Sequence, residues 1–171
     1  WGQGDFPFGF VQLAPYNYGG DGTRLAAIWE AQTEALKIPN TGMAVINDIG
    51  NVGDIHPKNK QEVGRRLALW AMAKVYEKKG VVYSGPLYRS MEVKKGEIRV
   101  KFDHWGGGLV ARDGKPLTRF TIAGEDKKFV PAKAEIDGKS IVVVSSETVK
   151  EPVAVRFGWD QTAEPNLMNK E

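Results

Sequence analysis

The sequence predicts an α/β fold in its first half and an all-β fold in its second. Three observations predict this change. Short apolar runs alternate with helical patterns up to Gly80, period-two alternation takes over afterwards, and Asp-Gly turn signals separate the later runs. We therefore expect two domains, at 1–80 and 81–171, connected through the segment Tyr83–Pro86.

The first predicted strand and helix follow one another within the first 40 residues. Phe8–Ala14 is a compact apolar run ended by Pro15, which predicts a buried strand. Apolar residues then recur at helical spacing over 25–36, which predicts an amphipathic helix whose start Asp21 or Thr23 could cap.

A second strand and helix repeat the pattern. The run Met43–Ile46 predicts a buried strand, a loop covers 47–58, and a longer helix covers 60–76. Asn59 followed by Glu62 is typical of a capping box at the start of that helix. Its apolar stripe consists of Val63, Leu67, Trp70, Ala71 and Val75. Continuous apolar strands alternating with helices predict a parallel sheet.

The second half predicts about six short strands in a sandwich-like arrangement. Ile98, Val100 and Phe102 alternate with charged residues, which is typical of a half-buried strand. Asp113-Gly114 and Asp137-Gly138 are hairpin signals, and 141–144 and 153–157 are rich in β-branched residues.

Two parallel strands are fewer than the four or more that an α/β sheet normally has. Such a pair would leave open sheet edges and uncovered apolar faces. We therefore expect further strands of the same sheet to precede Trp1 in a longer protein.

Composition excludes several classes of function. The chain of 171 residues has 42% hydrophobic and 26% charged residues and a net charge of +3 that is spread evenly. Nucleic-acid binding is not predicted because no basic face or tail appears, and no apolar stretch is long enough for a membrane span. Without cysteine, and with only two distant histidines, we predict no metal site and no cofactor.

His56 lies in the loop between the second predicted strand and its helix, the edge where α/β proteins place their sites. Asp48 and Asp54 lie within eight residues of it. A histidine that acts as general base needs a carboxylate to orient its ring, so these residues are the catalytic candidates. The structural alternative is a loop histidine before a helix, with Asp54 interacting with the helix dipole.

The other motifs are weaker candidates for a functional site. His104 ends a predicted strand before Gly106–Gly108, where a structural or ligand-rim role is favoured. The glycines open no helix and lack a following Lys-Ser/Thr, so they do not predict a phosphate loop. All five serines follow His56, and none lies in a glycine-flanked strand-to-helix turn, so we expect the nucleophile to lie outside this chain.

Several segments resemble the sialate O-acetylesterase family, carbohydrate esterases of the SGNH-hydrolase type, over nearly the whole chain. The most specific match is 54–70, Asp-Ile-His-Pro-Lys-Asn-Lys and the helix after it. The other matching segments are 1–8, 11–16, 43–45, 83–88, 102–110 and 164–170.

The resemblance implies the C-terminal part of a flavodoxin-like SGNH hydrolase domain followed by a small β-sandwich-like domain. It implies a serine that attacks an acetyl ester, supplied by the upstream region, with His56 as the base. The wider family pattern Asp-x-x-His would place the acid at 53, but that residue is Gly53. Asp54 or Asp48 would have to orient His56 instead, and we favour Asp54.

The expected substrate is an O-acetylated sugar, and the resemblance suggests a secreted or periplasmic protein. A different class of function is a non-catalytic carbohydrate-binding or structural β module attached to a degenerate hydrolase. In that reading Tyr88, Trp105 and Trp159 could offer aromatic platforms to sugar rings, although aromatic residues in strands more often pack in cores.

Overall fold

A computed structural model describes Gly2 and residues 4–170, so Trp1, Gln3 and Glu171 of the sequence lie outside the described residues. The fold is mostly β with two α-helices. Contacts divide the chain into two compact units, residues up to Ser84 with Asp160–Ala163, and Gly85–Trp159 with residues from Glu164 onward. The assignment of 1–80 to a hydrolase domain and 81–171 to a sandwich-like domain remains a prediction.

The first unit has the predicted strand–helix–strand–helix order. It contains β1 (Phe8–Val11), α1 (Thr23–Glu34), a 3-10 turn (Ala35–Lys37), β2 (Thr41–Ala44) and α2 (Lys60–Lys74). The two strands pair in parallel, as predicted, with Gly9 opposite Gly42. Because the strands are parallel, the loops that follow them leave the same edge of the sheet.

Trp70 explains why β2 carries a glycine at position 42. The indole of Trp70 lies over Gly42, where an added Cβ would overlap the ring. On the neighbouring strand, a Cβ on Gly9 would lie 3.5 Å from Leu67 and 3.6 Å from Trp70. The missing side chain of Gly42 lets α2 pack directly on the backbone of β2, and Arg66 of the helix then reaches the carbonyl of Val45 just after that strand.

The predicted helix starts had different outcomes. Asn59 caps α2, and its side-chain oxygen accepts a hydrogen bond from the amide of Glu62 at 3.1 Å, as the capping pattern predicted. The predicted cap residue of α1, Asp21 or Thr23, was off by one position. Gly22 is the cap residue and makes no side-chain cap bond, while Asp21 accepts bonds from the amide and hydroxyl of Thr23, the first residue of the helix, at 3.0 and 2.7 Å.

The second unit contains nine strands among the described residues. They are β3 (Leu87–Lys94), β4 (Glu97–Asp103), β5 (Leu109–Ala111), β6 (Phe120–Ala123), β7 (Val130–Pro131), β8 (Lys133–Asp137), β9 (Ile141–Ser145), β10 (Ala154–Phe157) and β11 (Leu167–Asn169). They form sheets in the orders β3-β4-β9-β8, β10-β6-β7 and β11-β5. Their pairing is antiparallel throughout.

One core joins these sheets. Its fully buried residues include Ile98 and Val142 of the four-stranded sheet and Ile122 of the three-stranded sheet. The alternation that predicted the strand at 98–102 therefore marks the core face of β4. Burial of such side chains contributes about 1.5–3 kcal/mol each.

The two hairpin predictions also differ in outcome. Asp137-Gly138 connects β8 to β9, which pair as predicted. The hairpin predicted at Asp113-Gly114 was wrong, because β5 pairs with β11 while β6 pairs with β10 and β7. Asn166 explains the difference, since it binds the segment after β5 through Asp113 and Thr118 and ties it to the end of the chain.

Candidate active site

The loops after β1 and β2 are joined at the carboxyl edge of the parallel pair. The amide of Asn17, in the loop after β1, donates to the carbonyl of Val52, in the loop after β2, at 2.9 Å. Pro15 also lies against Gly50, where a Cβ would be 3.2 Å from the proline ring. The loop that carries His56 is therefore supported by its neighbour along this edge.

A tight turn places Asp54 beside His56. The amide of Asp54 donates to the carbonyl of Asn51 at 2.9 Å, and the amide of Gly53 donates to the side chain of Asn51 at 2.9 Å. The carboxylate of Asp54 then accepts a hydrogen bond from the amide of His56 at 3.0 Å. The chain direction through this turn is thus fixed by backbone and Asx-type bonds.

The same carboxylate faces the imidazole. Asp54 Oδ1 lies 3.6 Å from His56 Nδ1, which is close but beyond hydrogen-bond length. The His56 side chain is 86% exposed and that of Asp54 is 40% exposed. The carboxylate is therefore placed on the Nδ1 side of an imidazole that is largely accessible from solvent.

Asp48, the second candidate acid, is bound to α2. Its two oxygens accept bonds from Arg66 Nη1 at 2.6 Å and Nη2 at 2.7 Å. The hydrogen bonds that Arg66 donates to Asp48 are the main reason that the pKa of Arg66 is raised, and the bond to Glu62 adds to the effect. Asp48 therefore serves as a partner of Arg66, a residue that the spacing of histidine and acids in the sequence does not indicate.

Glu62 joins Asp48 and Arg66 in a cluster of charged side chains. It accepts bonds from Arg65 Nε at 2.8 Å and from Arg66 Nε at 2.9 Å. These bonds lower the pKa of Glu62 to about 2, with Arg65 the larger cause. The spacing of Glu62 and Arg66 by four residues on one helix is the sequence signal that could have identified the cluster.

Asn47, at the end of β2, has a buried side-chain oxygen for which no partner is found among the described residues. An unsatisfied buried acceptor costs about 1–3 kcal/mol. Such groups are uncommon in folded proteins, and Asn47 lies at the edge that carries His56. Sequence reasoning did not single it out.

His104 and the aromatic candidates lie in the second unit. His104 adopts a φ of 54°, and its carbonyl accepts a hydrogen bond from the buried side chain of Asn169 at 2.6 Å. Tyr88 is 63% exposed on β3 and Trp105 is partly exposed. Trp159 is covered on one face by the guanidinium of Arg156, 4.8 Å from the ring centre.

The serines and metal ligands add no further candidates. Four of the five serines lie in the second unit, where Ser146 bonds to the hydroxyl of Thr148 at 3.0 Å. Across Gly2 and residues 4–170, no group of three histidine, cysteine or acidic side chains is arranged to hold a metal ion. Within the same described residues, neither helix has the length and apolarity that a membrane crossing requires.

Comparison with solved structures identifies the class of protein that this fold resembles. The chain matches the crystal structure of a carbohydrate acetylesterase from Xanthomonas citri with a TM-score of 0.90 and 45% sequence identity. The match covers 96% of this chain and 38% of that one. No protein-family model matches the sequence.

The particular relatives among curated proteins are sialate O-acetylesterases. The mouse protein is 30% identical over 178 residues and the human protein 26% identical over 167 residues. These matches cover 92% and 90% of this chain but 32% of each relative. The resemblance predicted from the sequence is thus confirmed, and the chain spans about a third of the length of the curated relatives it matches.

Proposed function

We propose that this chain is part of a serine esterase that removes O-acetyl groups from sialic acids or related acetylated sugars. The observation that carries the proposal is the position of His56. It follows the second strand of a parallel pair, faces Asp54 at 3.6 Å and lies four residues before the start of α2 at Lys60. The similarity to a sialate O-acetylesterase and to a carbohydrate acetylesterase supports hydrolysis of an acetyl ester.

In the proposed mechanism, His56 acts as the general base. Its imidazole takes the proton from a serine hydroxyl as the serine oxygen attacks the acetyl carbonyl carbon. The protonated ring then gives that proton to the sugar oxygen as the ester bond breaks. Water, activated by the same ring, attacks the acetyl-serine and releases acetate. Asp54 orients the ring and stabilises its charged form.

The nucleophile is proposed to come from another segment of the parent protein. None of the five serines in this chain has the strand-to-helix setting of an activated serine. The first unit also exposes large apolar side chains, with Phe8 57% exposed and Ile38 61% exposed. Both features support a larger hydrolase domain, with the SGNH arrangement, that covers this surface and supplies the serine and the oxyanion hole.

The test is acetate release from p-nitrophenyl acetate and from an O-acetylated sialic acid. It compares the chain alone, the chain joined to the rest of its parent protein, and two matched variants of the latter. We expect activity only in the joined protein, loss by several orders of magnitude in His56→Ala, and retention in His104→Ala. His104 is the control because it is the only other histidine.

Three outcomes would contradict the proposal. A fully active His56→Ala protein would remove the general base from its role. Activity of the chain alone that Ser84→Ala abolishes would place the nucleophile within this sequence. An inactive parent protein that still binds glycans would favour the carbohydrate-binding module instead.

A further inference from the structure

Arg66 connects α2 to the start of the loop that carries His56. Its Nη1 donates to the carbonyl of Val45 at 2.6 Å and to Asp48 at 2.6 Å, and its Nη2 donates to the second oxygen of Asp48 at 2.7 Å. Val45 is the first residue after β2. One guanidinium therefore holds both the end of the strand and the first turn of the loop.

The geometry of this contact is specific to arginine. Two parallel bonds to a carboxylate fix the plane of the guanidinium, and a lysine cannot reproduce them. Glu62 accepts from the remaining Nε at 2.9 Å, which fixes the side chain along the helix. Arg66 and Asp48 are also largely shielded, with side chains 24% and 32% exposed, so solvent screens the pair less than a surface ion pair.

The loop is held again further along its length. Val52 accepts from the amide of Asn17 at 2.9 Å, and Pro57, the residue after His56, is buried. Between these points, the turn from Asn51 to Asp54 directs the carboxylate toward His56. An exposed histidine thus lies in a loop that is fixed on both sides of it.

We propose that Arg66 is a positioning residue for His56, and that Asp48 anchors the loop through Arg66 while Asp54 faces the imidazole. This inference rests on the proposed function, because His56 is the base that the loop positions. A displacement of about 1 Å in a catalytic group can lower a rate by about a hundredfold. Loss of the contact between Arg66 and Asp48 should therefore lower kcat with little change in KM.

The test uses the parent protein that contains this chain, with Arg66→Lys, Asp48→Asn and the double variant. Arg99→Lys is the matched control, since Arg99 pairs with Glu97 and Asp137 in the second unit. We expect Arg66→Lys and Asp48→Asn each to lower kcat by about 10–100-fold. The double variant should lose no more than either single variant, because both changes break one contact. KM, the circular dichroism spectrum and the activity of Arg99→Lys should stay unchanged.

Amide hydrogen exchange provides a readout that does not need activity. We expect faster exchange over 47–56 in Arg66→Lys, with α1 unchanged, and no such change in Arg99→Lys. Unchanged exchange over 47–56 would overturn the inference even if the parent protein is not an esterase. Wild-type kcat in Arg66→Lys beside an inactive His56→Ala would overturn the inference alone, whereas a fully active His56→Ala would overturn the proposed function.

Discussion

The indole of Trp70 occupies the space where a Cβ on Gly42 would lie, so the packing of α2 on β2 depends on the absence of a side chain at that position. Gly42→Ala would place a methyl group inside the ring, and either the helix or the indole must shift. We expect a loss of about 1–3 kcal/mol in the free energy of unfolding, measured by urea denaturation.

Gly9→Ala is the matched control for that variant, because Gly9 is the register partner of Gly42. Its Cβ would meet Leu67 and Trp70 at 3.5–3.7 Å, which is ordinary van der Waals distance. We expect a change within about 0.5 kcal/mol. Equal losses in the two variants would show that the close approach of Trp70 does not limit the packing.

Asp54→Asn separates the charge of this residue from its role in the turn. The asparagine oxygen can still accept from the amide of His56, so the turn should persist while the carboxylate is lost. We expect kcat for acetate release by the parent protein to fall about 10²–10⁴-fold. Asp103→Asn, which removes an acid paired with Arg89 in the second unit, should leave kcat unchanged. Wild-type kcat in Asp54→Asn would exclude this carboxylate as the acid.

Glu62 should make the stability of the first unit depend on acid. Its pKa is lowered from 4.5 to about 2, so its ionised form contributes stability that is complete above pH 4.5 and is lost as the pH falls toward 2. We expect Glu62→Gln to flatten the decline in Tm over this window. Glu30→Gln, at an exposed position of α1, is the control and should keep the wild-type slope. An unchanged slope in Glu62→Gln would contradict the role of the Arg65 and Arg66 bonds.

Asn166 should be a major support of the second unit. Its buried side chain accepts from the amide of Thr118 at 3.0 Å and donates to Pro116 at 3.0 Å and Asp113 at 2.9 Å. The donation to Asp113 also holds the pKa of that carboxyl below its ordinary value.

Asn166→Ala removes the hydrogen bonds that this buried side chain makes to Thr118, Pro116 and Asp113, and we expect a loss of about 1–3 kcal/mol by thermal or urea unfolding. Met168→Ala, at a partly exposed position on β11, is the control and should cost less. A neutral Asn166→Ala would mean that water replaces these bonds at no cost.

The sequence predicted the elements whose signals are local. The alternation at Ile98, Val100 and Phe102 identified β4, and the Asn59 cap identified the start of α2 at Lys60. The second strand was predicted at 43–46 but covers Thr41–Ala44. Hydropathy did not indicate Gly42 as part of a strand, because its place there depends on contact with Trp70, which lies 28 residues away.

The candidate site was predictable in the same sense. His56 and Asp54 are two residues apart, so their proximity follows from one turn. The partnership of Asp48 with Arg66 joins residues 18 positions apart across a strand end and a helix. Only the packing of α2 on the sheet brings them together, so spacing alone left both acids as candidates.

The segment Asp160–Ala163 belongs to the first unit although the chain before it, Gly85–Trp159, belongs to the second. Gln161 accepts from the amide of Tyr16 at 3.0 Å and donates through its own amide to Gly22 at 2.7 Å. A fragment cut after Ser84 would therefore lack the segment that bonds to the loop after β1 at Tyr16 and at Gly22. Protein engineers who wish to transplant the histidine loop should keep this distant tetrapeptide, since the unit that carries the loop is not contiguous in the gene.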